Sequence, residues 1–136
     1  MICTRVIDEI QDYQSAIKMT CDMLENQGVV NHKYYQAILD NIKKYGGYFY
    51  LGKGICMPHA RTEDGAVKSG MCILMIKKPV DFLKNQVRVF ITIAAKDEKE
   101  HFNNLYKIAQ FCNDEEKIKK LEKITNEKEL LELIGE

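Results

Sequence analysis

The sequence predicts an α/β layered fold, on three observations. Met71–Ile76 and Val87–Ala95 are apolar along almost their whole length, the pattern of strands covered on both faces. Helical stripes lie both before and after them in the chain, so helices are available for either side of a sheet. The 136 residues, 46% hydrophobic and 29% charged, suit one domain that buries a core without staples.

Ile2–Ile7 carries only a fragmentary strand pattern. Residues 15–27 place Ile17, Cys21 and Leu24 on one helical face, with Ser15 as the expected cap and Gly28 beyond the end. Asn31 is the expected N-cap of a second helix through Tyr45. Its stripe is Tyr34, Tyr35, Ile38 and Ile42, and Gly46-Gly47 stops it. Tyr48–Leu51 and Ile55–Met57 are short strand candidates joined by a tight turn at Gly52-Lys53-Gly54. Pro58 and Pro79 each follow an apolar segment and are expected to end a strand or open a turn. Within Val87–Ala95, Val89, Ile91 and Ile93 share one face, Phe90 and Thr92 the other. Asp97 is set to cap a helix through Cys112, followed by helices at Asp114–Ile124 and from Asn126 onward. The strand order is not legible at this level.

Charge and composition narrow the function classes. Lys plus Arg and Asp plus Glu number 20 each, so binding driven by a nucleic-acid backbone is disfavoured. The longest apolar run is far short of the roughly 20 residues a bilayer-spanning helix needs, and Met1-Ile-Cys-Thr-Arg has no signal-peptide stretch. A cytoplasmic chain with no direct membrane insertion is expected. The five cysteines, Cys3, Cys21, Cys56, Cys72 and Cys112, are odd in number and widely spaced, and read as reduced thiols. Cys56 and His59 form a C-x-x-H pair, half of a zinc site with no second close pair to complete it.

Three histidines are candidates for chemistry. His32 follows the Asn31 cap and reads as a surface residue. His59 stands just after Pro58, where a short apolar strand ends, a usual position for reactive groups in α/β folds. Position alone fits a loop histidine of no role equally well. His101 lies near a helix start, because Asp97 and Glu100 have capping-box spacing. Free N–H groups there attract anions and lower an imidazole's proton affinity; a surface histidine on the polar face is the plainer reading. A Cys56 nucleophile with His59 as base is disfavoured, since an apolar strand raises a thiol's pKa. No P-loop, G-x-S-x-G or G-x-G-x-x-G is present.

The segment Gly54-Ile-Cys-Met-Pro-His-Ala-Arg61 resembles the active-site stretch of type-2 enzyme IIA proteins. These belong to the fructose/mannitol class of the bacterial phosphoenolpyruvate-dependent sugar phosphotransferase system. The likeness continues through Ser69-Gly70 and Lys78-Pro-Val-Asp-Phe82. It then takes in Phe90-Ile-Thr-Ile-Ala-Ala-Lys-Asp97 with His101. It covers residues 12 to 134, and Asn41–Arg61 looks most like the ascorbate-type branch. The resemblance implies one domain over residues 1–136, with a mixed β-sheet flanked by helices on both faces. It implies a phosphohistidine relay in which His59 accepts phosphate from phospho-HPr and passes it to an enzyme IIB component serving a membrane permease IIC. His101 would support the phosphorylated state and Arg61 would offer a phosphate contact. Such a transfer between side chains needs no cofactor or metal. The alternative within the same fold is a regulatory paralogue whose phosphorylation state controls a partner protein.

Two departures stand out. Asn41 follows Leu39-Asp40 where some family members carry an arginine, leaving Lys43 or Lys44 as substitutes, and the loop after Phe82 is short. Residues 41–95 carry nine Lys and Arg against three Asp and Glu, so a positive surround for His59 is expected.

Overall fold

The computed structural model describes residues 1–135. Five strands form one sheet in the order β1-β4-β5-β3-β2. They are β1 (Ile2–Ile7), β2 (Tyr50–Gly52), β3 (Ile55–Cys56), β4 (Gly70–Phe82) and β5 (Asn85–Ala94). β1 runs parallel to β4 and β3 parallel to β5, while β4–β5 and β2–β3 are antiparallel. The sheet is therefore mixed, as the resemblance implied.

Alternation along β4 and β5 divides the core in two. Cys72, Leu74, Ile76, Phe90 and Ala94 point toward α1 (Tyr13–Asn26) and α2 (Lys33–Tyr45). Met71, Ile73, Met75, Val89, Ile91 and Ile93 point toward α3 (Glu98–Cys112), α4 (Glu115–Leu121) and α5 (Glu127–Ile134). Both faces are thus covered, which is why these strands read as continuous apolar runs. Thr92 is the polar exception in β5. Its hydroxyl lies 2.7 Å from that of buried Thr20 on α1, and Thr20 donates to the Ile17 carbonyl, so neither group is stranded.

Several local expectations shift. The fragmentary pattern at Ile2–Ile7 is a full edge strand, and α5 guards it: Val6 N–H donates to the Glu127 carboxylate. Asp12, not Ser15, caps α1 by accepting from the Ser15 N–H. Asn31 accepts from the Lys33 N–H, but His32 occupies the N-cap position of α2. Pro79 neither ends a strand nor opens a turn. β4 runs through it to Phe82, because its register against β5 shifts between Met75 and Val80 and a bulged stretch tolerates a missing donor. The hairpin that follows turns on Leu83 and Lys84, both at positive φ.

Candidate functional site

β3 ends at Cys56, and the chain then passes over the end of β5. The Met57 N–H donates to the Phe49 carbonyl on one side, and the Ile93 N–H donates to the Pro58 carbonyl on the other. His59 itself makes a parallel bridge with Ile93. The imidazole is therefore mounted on backbone fixed from both sides. Its Nδ1 lies 2.9 Å from the Met57 carbonyl, an acceptor only, so Nδ1 carries the proton in the neutral ring. Nε2 is left with its lone pair.

His59 is enclosed by the Phe49 ring at 4.8 Å and the Tyr48 ring at 5.9 Å between centroids. This burial, opposed by the Met57 bond and aided by the nearby His101, lowers the His59 pKa from 6.5 to about 4. At neutral pH the ring is uncharged.

The structure brings His101 to the same place, with its ring centroid 5.1 Å from that of His59. His101 lies in the first turns of α3. Asp97 caps that helix by accepting from the Glu100 N–H at 2.8 Å. The expected capping box is only half made. The Glu100 carboxylate instead accepts from Ser69 Oγ, which also accepts from the Lys96 N–H. The motif's Ser69 thereby ties the start of α3 to the start of β4. Burial lowers the His101 pKa as well.

A cleft of about 580 Å³ opens on the two rings, lined among others by Asn41, Lys44, Tyr45, Tyr48, Arg61 and Phe102. Lys44, rather than Lys43, lines the space beside Asn41. Arg61 is at the cleft with a largely exposed side chain. Its guanidinium engages Asp64 at 3.1 Å and Glu63 at 3.4 Å. The positive surround expected from residue counts is not found: Glu63, Asp64 and Glu98 line the cleft beside Lys44 and Arg61. Most of the lysines counted between residues 41 and 95 lie elsewhere on the surface.

His32 is exposed and is not among the cleft residues. Cys56 is buried in the α1/α2-side core, with its thiol pKa pushed up by burial, and does not reach the cleft. Among the described residues, no three His, Cys, Asp or Glu side chains cluster as metal ligands. No helix among them is long and apolar enough to cross a membrane.

Residue-by-residue reading missed two features. Tyr34 was one of four stripe residues, yet its buried hydroxyl reaches the backbone of Ala60, which lines the cleft, and of Ile93, which bridges to His59. The signal was a phenol on a core-facing stripe, since a buried hydroxyl must find a partner. The second is an exposed aromatic margin. Phe102 is 68% exposed and Tyr106 54% on α3, and Phe102 lines the cleft together with Tyr45, the last residue of α2, and Tyr48.

A histidine at a strand end thus faces a second at a helix start, on the mixed sheet covered on both faces that the sequence resemblance implied. The chain belongs to the EIIA 2 family of the phosphoenolpyruvate-dependent sugar phosphotransferase system, whose model matches residues 3–136. EIIA components of this system are phosphotransferases in its phosphoryl relay. Within that family the chain is similar to the ascorbate-specific EIIA component of Escherichia coli K12. The two are 37% identical over 134 residues, 96% of this chain and 87% of the relative. The fold is similar to that of the mannitol-specific cryptic enzyme IIA CmtB from Escherichia coli, with TM-score 0.87, 31% identity and coverage of 96% and 90%. It is also similar to a chain in the complex of the mannitol enzyme IIA with phosphorylated enzyme IIB from Escherichia coli. There the TM-score is 0.79, the identity 27% and the coverage 95% and 93%.

Proposed function

We propose that this chain carries a phosphoryl group on His59, accepting it from phospho-HPr and passing it to an enzyme IIB component that works with a membrane permease IIC in carbohydrate uptake. The observation that carries this reading is the Nδ1-to-Met57 hydrogen bond, which leaves Nε2 unprotonated beside an open cleft. In the acceptance step the P–N bond to the donor histidine breaks as a P–Nε2 bond forms. Neutral Nε2 has no proton to lose, so no base is needed. The lowered pKa keeps the acceptor in its reactive form at cytoplasmic pH.

His101 is the proposed stabilising partner. Burial disfavours its charged form. A phosphoryl group on His59 brings negative charge beside it and favours its protonated form, which then offsets charge on the transferring group. Arg61 is a further phosphate contact in this reading, once its guanidinium exchanges a carboxylate for a phosphoryl oxygen. The onward step forms a bond to the IIB acceptor and returns the lone pair to Nε2. Ascorbate, the carbohydrate named for the relative at 37% identity, is the first substrate system to try.

The test is incubation with phosphoenolpyruvate, enzyme I and HPr, followed by assay of acid-labile phosphate on the parent and on His59→Ala. Labelling of the parent and none of the variant is expected; equal labelling of the two would contradict the assignment. Transfer from the labelled protein to a IIB component then separates a transport carrier from a regulatory paralogue.

A further inference from the structure

Tyr34 lies wholly buried on α2, in the core layer opposite α3. In a parallel ladder, the bridge between His59 and Ile93 calls for two backbone bonds. One would run from Ile93 N–H to the Pro58 carbonyl, the other from Ala60 N–H to the Ile93 carbonyl. The first is made directly at 3.1 Å. The second is relayed: Ala60 N–H donates to the Tyr34 hydroxyl at 3.1 Å, and that hydroxyl donates to the Ile93 carbonyl at 2.6 Å. The Ala60 carbonyl, 3.2 Å away, is the longer contact, and the single hydroxyl proton serves the shorter one.

We propose that Tyr34 is a positioning residue for His59, its hydroxyl standing in the last rung of the β3–β5 ladder and setting where the chain leaves the sheet. An interposed oxygen holds Ala60 away from Ile93, so the backbone diverges one residue after the histidine. That divergence opens the mouth in which His59 meets His101. Without the hydroxyl, two buried backbone groups lose their partner. The rung then either closes directly, turning the imidazole, or opens to water. Both outcomes change the burial of His59 and its alignment for transfer. Burial also pushes the Tyr34 pKa up, so the phenol stays protonated and able to donate. This inference rests on the phosphocarrier reading only for its rate measurement.

The test compares Tyr34→Phe with Tyr35→Phe. The second variant loses a phenol-to-carbonyl bond on the same helix, made to Gln14 and away from the cleft. In Tyr34→Phe, the His59 imidazole titration followed by NMR is expected to move by at least half a pH unit. Phosphoryl acceptance at saturating phospho-HPr should fall by about tenfold or more, with little change in KM, as expected for misaligned reacting atoms. Tyr35→Phe should match the parent in both. A folded Tyr34→Phe with the parent's titration and an acceptance rate within twofold overturns the proposal. If that variant does not fold, the parent decides. The Tyr34 hydroxyl proton should appear as a slowly exchanging resonance close to the Ala60 amide, and its loss to fast solvent exchange contradicts the relay. If the parent accepts no phosphate at all, the functional reading fails, while the titration and hydroxyl measurements still judge Tyr34.

Discussion

The His59 and His101 ring centroids lie 5.1 Å apart, yet the molecule holds the two residues in different ways. The His59 segment is fastened by non-local contacts: Phe49 to one side, Ile93 to the other, and Tyr34 from beneath. His101 is placed by its own helix through the Asp97 cap, with a single long-range tie from Ser69 to Glu100, on a turn whose next residue, Phe102, is 68% exposed. One ring is fixed and desolvated, as the proposed acceptor must be. The other sits on a locally ordered helix start that can answer a change of charge. A relay needs both, because the acceptor must be neutral before transfer and its charge balanced afterwards.

The contrast can be broken from its rigid side first. His59→Ala should abolish acid-labile phosphate on the protein. His101→Ala should leave His59 open to labelling and slow donation to IIB by roughly 100-fold, the scale of losing one preorganised charge-stabilising group. Rapid-quench transfer measurements read this directly, and an unchanged donation rate would remove His101 from the mechanism.

Acid provides a separate handle. His59 has a folded-state pKa of about 4 against an ordinary 6.5, so between those values the unfolded chain binds the extra proton. Stability from this group is complete above about pH 6.5 and is lost as pH falls toward 4, by about 3–4 kcal/mol in all. Urea unfolding at pH 7 and pH 4.5 should show a larger acid loss for the parent than for His59→Ala. Equal losses would mean that His59 is not desolvated.

Smaller effects belong to the adjustable side. Asp97→Ala removes the α3 cap and should lower stability by about 1 kcal/mol. It should lower donation more than acceptance. Arg61→Ala should change transfer rates by only a few-fold, since the side chain is exposed and already engaged by Asp64 and Glu63. A loss of 100-fold would instead make Arg61 a principal phosphate ligand.

The same division explains what could be read from the sequence. α3 and its cap were legible because Asp97 and Glu100 stand at capping-box spacing and Phe102, Leu105 and Ile108 recur at helical intervals, all local signals. Even so, Phe102 proved exposed, and Glu100 turned to Ser69 rather than closing the box. β5 was legible with its facing, because every second side chain enters a different core. The Pro58-His59 strand end stood out for its proline, but nothing local revealed that Tyr34, 25 residues earlier, completes the rung beside it. Pro79 misled because a bulge absorbs it. The charge count misled because residues 41–95 are contiguous in sequence and dispersed in space, whereas the acidic Glu98 arrives from α3.

The central claim is that one nitrogen of one histidine carries the phosphoryl group. A long-range ¹H–¹⁵N correlation spectrum of the phosphorylated protein identifies that nitrogen. The expected result is phosphate on Nε2 of His59, with Nδ1 still protonated and bonded to the Met57 carbonyl. Phosphate on Nδ1 of His59, or on His101, would contradict the account.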